Sequence, residues 1–211
     1  MPQNLKMKYT LFTFFFFFFF FSFFFFFPEI KNEVKPLTDL EVLDQVQKDA
    51  IKYFWDYAEP NSKLGRERYL VDDPNFEANK VTTGGSGFGL MSLVVGVERG
   101  FIPREEAVSR MIKAMDFLKK ADRFHGAWAH WMDGQKGRAI SFGNKDDRGD
   151  IVETAFLCQG LIVVRKYFKN GNAKEKELAL KADELWKGVE WNWYTNGENA
   201  MYWHWSPKYQ W

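Results

Sequence analysis

From residue 38 onward, apolar residues recur at three- and four-residue steps in five separate stretches, the period of helices that bury one face or more. The first opens on Thr38-Asp-Leu-Glu41, a hydroxyl and a carboxylate three residues apart as in a capping box. Leu43, Val46, Ala50, Phe54 and Tyr57 then predict one buried stripe against a charged face, ended by Pro60. Asn61 to Thr83 has no sustained period and reads as a long loop, of the kind that usually carries function. It runs into Thr82-Thr-Gly-Gly-Ser-Gly87, read as a glycine-rich turn opening a second helix, Phe88 to Glu98. That helix is apolar on nearly every side and should be interior.

A third helix is predicted behind Pro103, with Val108, Met111, Ile112, Met115 and Leu118 on one face and lysines on the other. Met132 to Ile140 suggests a short hairpin. A fourth helix, about Asp150 to Phe168, is apolar nearly all round and ends at Asn170-Gly171. A fifth, about Ala173 to Glu190, turns Leu178, Ala182, Leu185, Trp186 and Val189 inward. Amphipathic and interior helices therefore alternate. This predicts an all-α fold, a toroid of helical hairpins in which inner helices are buried on several sides and outer helices pack by one stripe.

In such a toroid the loops that precede inner helices open at one end. Three segments hold that place: Thr82 to Gly87, Ala127 to Gly149, and Trp191 to Trp211. The 9 Trp gather in such loops, which favours a ligand surface lined with rings over core filling. Aromatic planes beside paired acids suit a sugar-cleaving cleft. Asp150 and Glu153, three apart at a helix start, share one face and are the candidate catalytic acids, although the same spacing also makes an N-cap and its partner. Trp128, His130, Trp131, Trp203, His204, Trp205, Thr83 and Gly85 are the candidate substrate contacts.

Composition narrows the function classes. A net charge of +1 leaves no electrostatic footprint for nucleic acid. The single cysteine, Cys158, excludes an intramolecular disulfide and lies in an apolar helix as an inert thiol. The glycine-rich turn lacks the Walker lysine and the Rossmann spacing, which argues against a phosphate cradle. Asp146-Asp-Arg-Gly-Asp150 fits an aspartate-rich magnesium motif, but Gly149 interrupts the helix that motif normally occupies. No metal and no cofactor are expected.

At the N-terminus, Lys6 and Lys8 precede a phenylalanine tract closed by Pro28, the layout of an export signal. Residues 1–28 are therefore read as a signal peptide or, uncleaved, as an anchor placing residues 8–27 against a membrane. Residues 29–37 are a linker, and residues 38–211 the domain. The expected location is periplasmic or extracellular.

Several strings in order carry a family resemblance: Val81-Thr-Thr-Gly-Gly-Ser-Gly-Phe-Gly-Leu90, Gly96-Val-Glu-Arg-Gly-Phe-Ile102, Lys120-Ala-Asp-Arg-Phe-His-Gly-Ala-Trp128, Gly149-Asp-Ile-Val-Glu-Thr-Ala-Phe-Leu157, and Asn196-Gly-Glu-Asn199 with Tyr202-Trp-His-Trp-Ser-Pro207. From about Ala50 to Trp211 the chain resembles the bacterial glucoamylase-like glycoside hydrolases, the group that contains endo-β-1,2-glucanases. The resemblance implies an (α/α)6 toroid of which this chain is part, secretion, the absence of a metal, and hydrolysis of a β-glucan by an inverting route, with Asp150 and Glu153 on the family's acidic cleft motif. It also implies that these residues are the N-terminal half of such an enzyme, so that the chain alone would be inactive if the other half supplies an acid. The phenylalanine leader has no counterpart in the family. A non-catalytic glycan-binding half-domain is the alternative.

Overall fold

The computed structural model describes residues 36–211, so the leader and most of the linker lie outside the described residues. Five α-helices follow in order: α1 (Asp39–Trp55), α2 (Thr83–Glu98), α3 (Arg104–Lys120), α4 (Ile151–Phe168) and α5 (Ala173–Lys187). Short strands join their ends: β1 (Lys80–Thr82), β2 (Trp131–Asp133), β3 (Ala139–Ile140), β4 (Gly149–Asp150) and β5 (His204–Trp205). The fold is a segment of a helical toroid. α2 packs on α1 and α4, α4 on α5, and α5 on α3.

The outer helices show how the stripes are used. α3 buries Val108, Met111, Met115 and Leu118, and α5 buries Leu178, Ala182 and Leu185. Asn172 and Glu175 close a reciprocal capping box that starts α5. Among the described residues, no helix is long and apolar enough to cross a membrane.

Two expectations need correction. α2 begins at Thr83, not Phe88, so the glycine run is helix and not turn. Its glycines serve helix packing. A Cβ on Gly87 would lie 2.1 Å from the carbonyl oxygen of Phe156, and one on Gly160 would lie 2.4 Å from that of Gly87. The backbones of α2 and α4 thus cross in direct contact, and this close approach outweighs the ordinary cost of glycine in a helix, about 1 kcal/mol each.

The second correction concerns α1, which buries only Ile51 and leaves Leu43 and Val46 more than half exposed. Its inward face begins instead with Asp44 and Gln47, which receive the Arg99 guanidinium at 2.6 and 2.9 Å. Ile51 and Phe54 continue that face against Gly96 and Gly89 of α2. A polar pairing across 55 residues thus lies on the inward face of α1, and the apolar stripe does not.

The interior helices are covered unevenly. Leu90, Leu93, Leu157, Leu161 and Val164 are buried, while Phe88, Val95, Phe156 and Ile162 stay exposed on the other face.

Candidate functional site

The loops converge at the N-terminal ends of α2 and α4 through backbone pairing. β1 runs antiparallel to β2, and β2 to β3, with Thr82 opposite Trp131 and Trp131 opposite Ile140. The expected hairpin is therefore present. β4 pairs antiparallel with β5, setting Gly149 opposite Trp205 and Asp150 opposite His204. Asp150 N–H donates to Trp128 O, and Ile151 N–H to Trp203 O. All three loops expected at one end meet there.

Asp150 lies at the centre and is closed from solvent. Its Oδ1 accepts the N–H groups of Val152 and Glu153, both at 2.9 Å, which makes it the N-cap of α4. Its Oδ2 accepts from His130 Nδ1 at 3.0 Å and from Trp203 Nε1 at 3.3 Å. With both oxygens engaged and no exposed surface, this carboxylate has no position for a sugar. The expectation that Asp150 meets substrate directly is corrected: it is an anchor.

Glu153 is different. It is half-buried, and its side chain does not turn back to complete a capping box on α4. It crosses to α2, where Oε2 accepts Gly84 N–H at 2.8 Å and Thr82 Oγ1–H at 3.4 Å. Thr82 makes no side-chain cap for its own helix, so Glu153 supplies the missing acceptor at a helix start that favours negative charge. Oε1 keeps no hydrogen-bond partner among the described residues. The approach requires glycine, because a Cβ on Gly84 would fall 2.6 Å from Oε2.

A third acid, Asp146, is brought in by the loop before β4. Its Oδ2 lies 3.2 Å from His130 Nδ1, and its Oδ1 is buried without a hydrogen-bond partner. The ring of His130 stacks on Phe142, centroids 3.9 Å apart, and meets Trp131 edge-on. Burial pulls the imidazolium down, but the hydrogen bonds to Asp146 and Asp150, with the charges of Glu153 and Asp150, outweigh it and push the His130 pKa up to about 10. His130 is thus a cation among carboxylates at neutral pH. His130, Asp146 and Asp150 hold ligand atoms within 4.8 Å of one another, as a metal site would. His130 Nδ1 is already paired with both carboxylates, a contact that a cation bound there would have to replace. The Asp146 to Asp150 run is loop and strand, so the helical magnesium motif is not formed.

The aromatic candidates separate. Trp203 is 59% exposed and its indole reaches Asp150, so it presents an open ring plane at the site. Trp131 is half-buried, with the Lys80 ammonium 4.3 Å from its ring centre. His204, on β5, is half-buried. Trp205 is packed among Phe124, His125 and Trp193. Trp128 is fully buried with Nε1 donating to Leu118 O, and the buried Thr83 hydroxyl donates to Ala129 O. Both are framework, because a side chain without exposed surface cannot stack on or hydrogen-bond a sugar. Gly85 lies in the first turn of α2.

Sequence reasoning missed Phe142, 51% exposed beside His130, and the roles of Asp146, Thr82 and Gly84. Asp146 was visible only as part of an acidic run, and a loop without a period offers no spacing from which to place it.

No family model matches the chain. It is 49% identical over 179 residues to an exo β-1,2-glucooligosaccharide sophorohydrolase (non-reducing end) of Parabacteroides distasonis, covering 83% of this chain and 24% of that protein. An endo-β-1,2-glucanase from Chitinophaga pinensis, solved with sophorotriose and glucose, superposes with a TM-score of 0.80 at 54% identity, covering 83% of this chain and 43% of that one. A β-1,2-glucanase from Parabacteroides distasonis superposes with a TM-score of 0.77 at 49% identity, covering 83% and 25%. The chain spans less than half the length of these relatives.

Proposed function

We propose, starting from a chain homologous over 83% of its length to β-1,2-glucan hydrolases, that these residues form one wall of a cleft that binds and hydrolyses a β-glucan, with β-1,2-linked glucose as the preferred substrate. The observation that carries the reading is the 54% identity to an endo-β-1,2-glucanase solved with sophorotriose and glucose. The geometry agrees with it: one half-exposed carboxylate beside open aromatic planes is what glycosidic cleavage asks of a cleft wall.

Glu153 is the proton-transferring group of this wall. Oε2 is held by Gly84 and Thr82, which leaves Oε1 for a glycosidic oxygen or an attacking water. Trp203, Trp131 and Phe142 offer rings on which pyranose faces stack. Asp150 acts through others: it starts α4, which carries Glu153, and fixes His130 and Trp203. Export of the chain, through residues 1–28, belongs to the same proposal, since a polymeric glucan is met outside the cytoplasm.

The test is reducing-end release from β-1,2-glucan, set against β-1,3- and β-1,4-linked glucans, by a full-length protein that carries these residues and by its Glu153→Gln variant. An amide keeps the shape and the Gly84 hydrogen bond but cannot exchange a proton, so turnover should fall about 10²–10⁴-fold while the melting temperature barely moves. Binding of β-1,2-gluco-oligosaccharides by the wild type without any release would favour the glycan-binding alternative. Absence of both binding and release would overturn the proposal.

A further inference from the structure

We propose that His130 is a positioning residue: its Nδ1–H bridges Asp146 and Asp150 and so fastens the acidic loop 141–148 to the start of α4, forming the side of the cleft next to Glu153. The consequence for catalysis rests on the glucan-hydrolase reading; the clamp itself does not.

Three observations carry it. First, one ring nitrogen lies 3.2 Å from a carboxylate on the loop and 3.0 Å from a carboxylate on the helix cap. Beyond the ring contacts of Phe142 with His130 and Trp131 and of Arg148 with Phe124, the loop's hydrogen bonds are internal: Phe142 N–H and Gly143 N–H donate to Asp146 O, and the Ser141 hydroxyl donates to Gly143 O. These are bonds within the loop and do not attach it to a helix. Secondly, both carboxylates are buried, so an uncharged partner would leave two anions facing each other away from water. The imidazolium cancels that repulsion. Thirdly, the ring is fixed in plane by the Phe142 stack and the edge of Trp131, both neutral. The charged groups that face it are Asp146 from the loop, Asp150 from the cap and Glu153 from α4, all negative.

A histidine that only contacted substrate hydroxyls would need none of these protein partners at Nδ1. Its loss would weaken binding and leave the loop in place. Loss of the clamp frees the loop and spares the helices, because the Asp150 cap on Val152 and Glu153 uses the other oxygen.

The experiment uses the whole chain, its His130→Gln variant, and Asp146→Asn as a second variant that cuts the clamp from the loop side. Amide exchange of the loop peptide should accelerate by about 10-fold or more in both variants, with α4 and α5 unchanged. In the wild type the His130 ring resonance should keep its protonated position to pH 9, and in Asp146→Asn it should titrate at lower pH. Where the wild type turns over β-1,2-glucan, His130→Gln should lower kcat about 10-fold or more with little change in KM. Unchanged loop exchange in both variants, titration of wild-type His130 near its ordinary 6.5, or a rise in KM alone would overturn the clamp. A wild type that neither binds nor cleaves glucan would sink the functional reading, while exchange and titration would still decide for or against the clamp.

Discussion

Asp150→Ala separates an anchor from a strained catalytic group, and the structure sets the size of the effect. The substitution removes the acceptor of two α4 N–H groups, a lost N-cap worth about 1 kcal/mol. It also removes one of the two anions that hold the His130 imidazolium. Breaking a buried ion pair outright costs about 3–5 kcal/mol. His130 keeps Asp146 and some exposure, so about 2 kcal/mol is the fitting share. The sum, about 3 kcal/mol, should lower the melting temperature by about 6–12 °C for a domain of this size. Asp150→Asn keeps a competent cap and loses only the charge, so it should cost about two-thirds as much, about 2 kcal/mol. Thermal unfolding followed by circular dichroism, with urea titration for the free energy, reads both. An Asp150→Ala chain as stable as the wild type, or more so, would refute the reasoning. That result is what removal of a carboxylate kept for chemistry at the expense of stability would produce.

Three further outcomes follow from the same geometry. Gly87→Ala puts a methyl 2.1 Å from the Phe156 carbonyl oxygen and must push α2 from α4, with an expected loss of about 3 kcal/mol by urea titration; wild-type stability would mean that the helices do not cross in backbone contact. Because folding raises the His130 pKa to about 10, its contribution is complete below its ordinary value near 6.5 and is lost as pH climbs through 10; the stability gap between wild type and His130→Gln should shrink over that window, and a gap constant with pH contradicts the assignment. Fusion of residues 1–28 to a reporter active only after export should give signal, and activity confined to the cytoplasm would remove the export proposal.

Much of the fold was legible because it depends on period. The stripes of α3 and α5 are properties of single helices and survive into the structure, while α2 and α4, apolar nearly all round, bury one side and leave Phe88, Val95, Phe156 and Ile162 exposed. What failed depended on a partner. The glycines of α2 read as a turn because glycine is unfavourable in an isolated helix; their value appears only when the α4 backbone lies against Gly87. Leu43 and Val46 read as a buried stripe from their period alone, whereas Arg99, the partner of Asp44 and Gln47 on the inward face, is more than fifty residues away.

The site divides along the same line. Asp150 and Glu153 were readable as a pair from their spacing on a helix start, but the spacing could not say which of them is free. The answer comes from α2. Its first turn carries no cap of its own, since Thr82 turns its hydroxyl to Glu153 and Gly84 has no side chain. The orphan N–H of Gly84 therefore requires an acceptor from elsewhere, and Glu153 provides it at 2.8 Å. Asp150 meanwhile spends one oxygen on α4 and the other on His130 and Trp203. Two acids that look equivalent in sequence are thus set apart. One is consumed in starting a helix; the other is held by a single oxygen at the start of a second helix, where a rigid backbone donor fixes it and the remaining oxygen has no hydrogen-bond partner among the described residues.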